Sequence, residues 1–253
     1  GYDEGTGIYL PGIGVTNISS GTIIGAQGIQ IAAGELNITG GEIISTAGGD
    51  ISDIIAGGSG GTNGALVVGK AGTGYVGDLI VNISGTASIR NTSDGEYPTA
   101  VFVTDKTMKN SSYSDVVIQV NIEDINIEGN VVRASDLTNA SQDEKCDTTT
   151  LTISDVTVNG TVINQSQNGS MSVIGSNLQS VQVADGTNGY ITVIESDVKE
   201  EPTGSNVVLV DSKVDGEDVP NTDGYVAMVN GVPYSDLQDA INAAAEDGVI
   251  TLI

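Results

Sequence analysis

Apolar and polar residues alternate along most of the chain in short bursts that share one order: apolar, any, apolar, any, small or acidic, any, any, apolar. Thr16-Asn17-Ile18-Ser19 leads through Gly21 to Ile23, and Leu36-Asn37-Ile38-Thr39 through Gly40 and Gly41 to Ile43. Val81-Asn82-Ile83-Ser84-Gly85 reaches Ile89 with one extra residue, and Val120-Asn121-Ile122-Glu123-Asp124 reaches Ile127. Leu151 to Asp155, Met171 to Gly175, Ile191 to Glu195 and Val207 to Asp211 repeat the order. A period of two is that of a strand with one buried face. The Gly or Asp that follows is a residue suited to a corner. With the third position as anchor, the series is Ile18, Ile38, Ile83, Ile122, Ile153, Val173, Val193 and Leu209. The copies are unevenly spaced although the unit is constant, which predicts fixed strands joined by loops of variable length.

A second strand precedes the unit in the first five copies, as in Gly28-Ile29-Gln30-Ile31 and Ala100-Val101-Phe102-Val103. Each rung therefore carries at least three short strands. One rung alone cannot bury its inner face, but rungs stacked about 4.8 Å apart align equivalent apolar positions into columns. The pattern predicts an all-β fold, a right-handed single-stranded parallel β-helix, with inner columns Ile18/Ile38/Ile83/Ile122/Ile153 and Ile23/Ile43/Ile89/Ile127/Val158. Asn17, Asn37, Asn82 and Asn121 precede the anchors, so alternation points them outward, where stacked amides can hydrogen-bond as a ladder. A β-sandwich does not predict one short unit returning with the same corner, and a propeller needs longer repeats than those of the second half.

The C-terminal segment breaks the pattern. A strand over 225–234 is followed by Ser235, placed to cap a helix with Gln238 three residues on. Leu237, Ala240, Ile241 and Ala244 then form a stripe at helical spacing, Gly248 stops the helix, and Val249 to Ile253 read as a further strand. The expected organisation is β-helix repeats over 1–215, an acidic linker over 216–224, and a strand–helix–strand unit over 225–253 that either caps the solenoid or starts a further array. Residues 45–64, 104–115 and 136–147 read as the most variable loops, where ligand contacts are expected.

The Asn37-to-Ile43 and Asn82-to-Ala87 units resemble coils of the pectin-lyase-like superfamily, and more narrowly the repeat arrays of Gram-positive bacterial surface and adhesin proteins. The resemblance spans roughly residues 7–215. It implies the β-helix fold, an extracellular or cell-wall location, and a chain that is part of a longer protein. The strand, helix and strand after residue 225 are similar to the unit that begins an array in such proteins.

Composition narrows the chemistry. Hydrophobic residues make up 38% of the 253-residue chain but aromatics only 4%, so the core is Ile, Val, Leu and Ala. Against 33 acidic residues stand 8 basic ones, with no His, for a net charge of −25. Binding to nucleic acid or to anionic lipid depends on Lys and Arg, which this chain lacks in number. No apolar run has transmembrane length, so no membrane insertion is expected. The single Cys146 excludes an internal disulfide framework, and its acidic neighbours disfavour a reactive thiolate.

Several enzymes share the resembled fold. A lyase of the pectate type needs acidic Ca²⁺ ligands and a base, for which only Arg90 and Arg133 are available as arginines, without an adjoining Asp cluster. The polygalacturonase type needs a His. Asp124 and Asp155 occupy equivalent corners and can lie close, as a glycosidase pair does, but Asp is also an ordinary turn residue. No residue is assigned a catalytic role. Asp211, Asp215, Glu217 and Asp218 form an acidic cluster that suits Ca²⁺, without EF-hand spacing. No other cofactor is expected. The function expected is a non-catalytic secreted or cell-surface module, stalk-like or adhesin-like, with a host glycan or extracellular-matrix protein as partner. A polysaccharide lyase or hydrolase, and a purely structural spacer, are the alternatives.

Overall fold

Every anchor lies opposite the next. Ile18 pairs with Ile38, Ile38 with Ile83, Ile83 with Ile122 and Ile122 with Ile153, all in parallel register. The column continues through Val173 and Val193 to Leu209. The computed structural model describes residues 5–48, 64–69, 77–95, 97–104, 117–134, 149–219, 224–244 and 249–253. Among these, twenty strands form one hydrogen-bonded sheet, parallel except for its last pairing, and three form a second sheet. The arrangement is all-β with one short C-terminal helix and is compatible with a β-helix.

A second column runs Ile23, Ile43, Ile89, Ile127, Val158, Leu178, Val198 and Val214. A third runs Ile8, Ile29, Leu66, Val101, Val131, Val162 and Val181. The third strand thus persists beyond the first five copies. In the later rungs it is continuous with the strand after the corner, as in Thr157–Gln165 and Asn177–Val183. The three columns share one core in which most members are fully buried. Each buried Ile, Val or Leu contributes roughly 1.5–3 kcal/mol, and repetition along the stack offsets the ordering of so many short strands.

The corner is a left-handed backbone position. Gly85, Asp124, Asp155, Gly175, Glu195 and Asp211 stand two residues after their anchors, with φ between 46° and 71°. Their N–H groups point along the stack: those of Asp124, Asp155, Gly175 and Glu195 donate to carbonyls of the next rung at 3.0–3.1 Å. Behind the last corners sit Ser176, Ser196 and Ser212, all buried. The N–H of Ser176 donates to Ser196 Oγ at 3.0 Å and that of Ser196 to Ser212 Oγ at 3.2 Å. Each hydroxyl in turn donates to a carbonyl two residues back, at 2.7–2.8 Å.

Polar residues also enter the interior. Arg133 and Asn164 occupy the column otherwise filled by Leu10, Ile31, Val68, Val103 and Val183. Arg133 is fully buried, donates from Nη2 to the Thr149 carbonyl at 2.9 Å, and lies against Gly169, where a β-carbon would strike its guanidinium. Asn164 donates to the carbonyls of Gly169 at 2.7 Å and Tyr190 at 3.0 Å. These bonds satisfy chain reversals that the apolar columns leave unpaired.

The end of the stack differs from the expected linker. Glu217–Val219 is a strand, paired antiparallel with Ser212–Val214 through a two-residue Asp215-Gly216 turn with φ of 50° and 80°. Positive φ at both central residues is the type I′ geometry that Asp-Gly favours. Residues 220–223 lie outside the described residues.

The helix, α1, spans Leu237–Ala243, and its N-cap is Asp236 rather than Ser235. The Asp236 carboxylate accepts from the N–H groups of Gln238 at 2.8 Å and Asp239 at 3.1 Å, because a carboxylate reaches both donors of the first turn. Of the expected apolar stripe only Ala240 is buried, against Ala227 and Val229, while Leu237 and Ile241 are exposed. Helix α1 packs on one face of the small sheet formed by Ala227–Val229, Val232–Tyr234 and Ile250–Leu252. It is the opposite face of that sheet, through Met228, that meets the stack.

Candidate functional site

The outward face of the anchor strands is built by residues on either side of each anchor. One position before the anchor runs Asn17, Asn37, Asn82, Asn121, Thr152, Ser172, Thr192 and Val208. The expected amide ladder is present. Asn37 Nδ2 donates to Asn17 Oδ1 at 3.1 Å, Asn82 to Asn37 at 2.9 Å and Asn121 to Asn82 at 2.9 Å. All three bonds run in one direction, so the ladder ends on the carbonyl oxygen of Asn121. Among the described residues no donor reaches that oxygen.

One position after the anchor, the face changes character along the stack. Ser19, Thr39, Ser84, Glu123 and Ser154 give way to Ile174, Ile194 and Val210. The C-terminal sheet docks there. Met228 packs with Ile194, Val208 and Val210, flanked by Ile174, Tyr190, Tyr225 and Ile253. The Asn230-Gly231 turn, with φ of 50° and 81°, lies flat on the main chain of Met171, and Thr192 Oγ1 donates to the Gly231 carbonyl at 2.6 Å.

Docking leaves a groove of about 400 Å³ between the stack and the small sheet. Its floor is Gln119, Asn121, Thr150, Thr152 and Ser172 from three successive rungs. Its wall is Met228, Asn230, Gly231 and Thr251, with Val117 and Val249 at the rim. Ser172 Oγ reaches Thr152 Oγ1 at only 3.5 Å, at the limit of a hydrogen bond. Among the described residues that line it, none carries a charge.

The residues singled out in the sequence fall elsewhere. Asp211, Asp215, Glu217 and Asp218 are all exposed; Asp211 and Asp215 are left-handed turn residues, and Asp218 faces Lys213 across the hairpin. Among the described residues, no group of three or more His, Cys, Asp or Glu is gathered as a metal site. Asp124 and Asp155 are exposed corner residues, and Asp155 Oδ1 leans over the Cα of Gly175 in the next rung. Arg90 lies on the surface with Glu42 Oε1 at 3.9 Å, and Arg133 is enclosed. Cys146 and the loop at 136–147, with 105–115 of the loop at 104–115 and most of 45–64, lie outside the described residues. Among the described residues no helix is long and apolar enough to cross a membrane.

The groove was not anticipated. Its signal in the sequence is the switch from Ser and Thr to Ile and Val just after the anchors, which marks an outer face covered by another part of the chain. No protein-family model, no curated protein and no solved structure matches this chain.

Proposed function

We propose that the chain is a non-catalytic module of a bacterial surface or secreted protein, a right-handed parallel β-helix of the pectin-lyase-like kind that acts as a stalk bearing a binding face. The observation that carries this reading is how the polar groups of the stack are used. The amide ladder, the serine ladder and the corner N–H groups are spent on bonds between rungs. Such columns make a stiff rod whose rungs hold their neighbours. The groups singled out for a polysaccharide lyase or hydrolase, where they lie among the described residues, support the same reading. Arg133 is enclosed and cannot reach a substrate proton, and Asp124 and Asp155 serve as left-handed corners.

The experiment is to incubate the chain with a panel of polysaccharides, mucin and matrix proteins, following binding and product release together. The reading expects binding with no shortening of any polymer. Depolymerisation would overturn it.

A further inference from the structure

We propose that the flank groove binds a neutral saccharide, one or two sugar units of a glycan chain. The proposal rests on the reading of a non-catalytic surface module and names the ligand of its groove. Charge is the first argument. The chain carries 33 acidic residues, yet each described residue that lines the groove is neutral. A cationic ligand finds no carboxylate among the described lining residues, and a polyanion would have to approach a chain of net charge −25.

Open hydrogen-bonding capacity is the second argument. Asn121 commits its amide to Asn82, and its Oδ1 closes a run of aligned amides that polarise one another and strengthen the terminal acceptor. Beside it the side chains of Gln119 and Thr150 make no hydrogen bond among the described residues, and the Thr152 hydroxyl is met only by the long contact from Ser172. The floor thus offers uncharged donors and acceptors at the rung spacing of about 4.8 Å, the scale of one pyranose ring with its hydroxyls. Apolar side chains stand at the wall and rim, as a sugar's C–H face requires. A cavity of about 400 Å³ falls in the size range of small-molecule sites. Without an aromatic platform the affinity should be weak, about millimolar for a short oligomer.

The test uses the full chain and arrayed neutral hexose and N-acetylhexosamine oligomers, beside uronate oligomers and uncharged peptides, with binding measured by ligand-observed NMR. Thr152→Val removes a groove hydroxyl at constant shape. Thr150→Arg, at a partly exposed position that tolerates a long side chain, fills the groove. Asn188→Ala removes an exposed amide that pairs with Asn168, outside both the ladder and the groove. The expected result is binding of a neutral oligomer, weakened about tenfold or more by Thr152→Val and Thr150→Arg and unchanged by Asn188→Ala. No neutral oligomer bound at about 10 mM, a preference for uronates or peptides, or binding indifferent to both groove variants would overturn the proposal. Shortened oligomers in the same samples would overturn the non-catalytic reading, whereas failure to bind with the oligomers intact overturns only the groove assignment.

Discussion

Thr192 Oγ1 donates a 2.6 Å hydrogen bond to the carbonyl of Gly231, joining a rung of the stack to a hairpin turn 39 residues away. Both residues are buried, and the bond fixes the wall of the groove against its floor. Thr192→Val keeps the shape and leaves the Gly231 carbonyl without its donor, a loss of about 1–3 kcal/mol. Gly231→Ala should do more, since its β-carbon would stand 2.8 Å from the main chain of Met171 at a φ of +81°. Native-state hydrogen exchange should show Ala227–Val229 opening more readily in both variants, with the rungs at Ile118–Glu123 unchanged.

The amide ladder should be felt most in its middle. Asn82 donates to Asn37 and accepts from Asn121, whereas Asn17 only accepts. Asn82→Ala is expected to cost about 1–3 kcal/mol in urea denaturation, and Asn17→Ala less than half of that. Equal losses at the two positions would mean that the ladder carries no coupled stability.

The columns and the ladder were legible because both follow from a period of two and a repeated corner. Ile18, Ile38, Ile83, Ile122 and Ile153 needed no knowledge of loop lengths to be aligned. The Asp215-Gly216 hairpin carries the dipeptide of its turn type, but the acidic residues that follow it are equally those of a solvated linker. The serine ladder was visible only as Ser176, Ser196 and Ser212 following a corner, a weak signal until stacking makes each hydroxyl the acceptor of its neighbour's N–H. The groove could not be read locally. Gln119, Thr152 and Met228 are distant in sequence, and what brings them together is the docking of Met228 on Ile194, Val208 and Val210.

Glu195 is the corner residue least suited to its backbone. Its φ of 48° lies where glycine is unstrained and Asp and Asn are tolerated through local hydrogen bonds. Glu195→Gly should change stability favourably by up to about 1 kcal/mol, the relief of strain outweighing the added freedom of the unfolded chain. The next residue runs the other way. Ser196→Ala strips the acceptor from the buried Ser176 N–H and should cost about 1–3 kcal/mol. Thermal denaturation of the two single variants checks both signs.

The stacking register itself is open to direct measurement. Glu42, Asn126, Asn177 and Lys213 are exposed and belong to one outward column, in which Asn126 stands two rungs from Glu42, Asn177 four and Lys213 six. In a Cys146→Ser background, spin labels paired from Glu42 to each of the other three should give separations that rise linearly by about 4.8 Å per rung, near 10, 19 and 29 Å. Separations that fail to rise in equal steps, or a pair at Lys213 no farther apart than the pair at Asn126, would contradict the stack and with it the groove built on its flank.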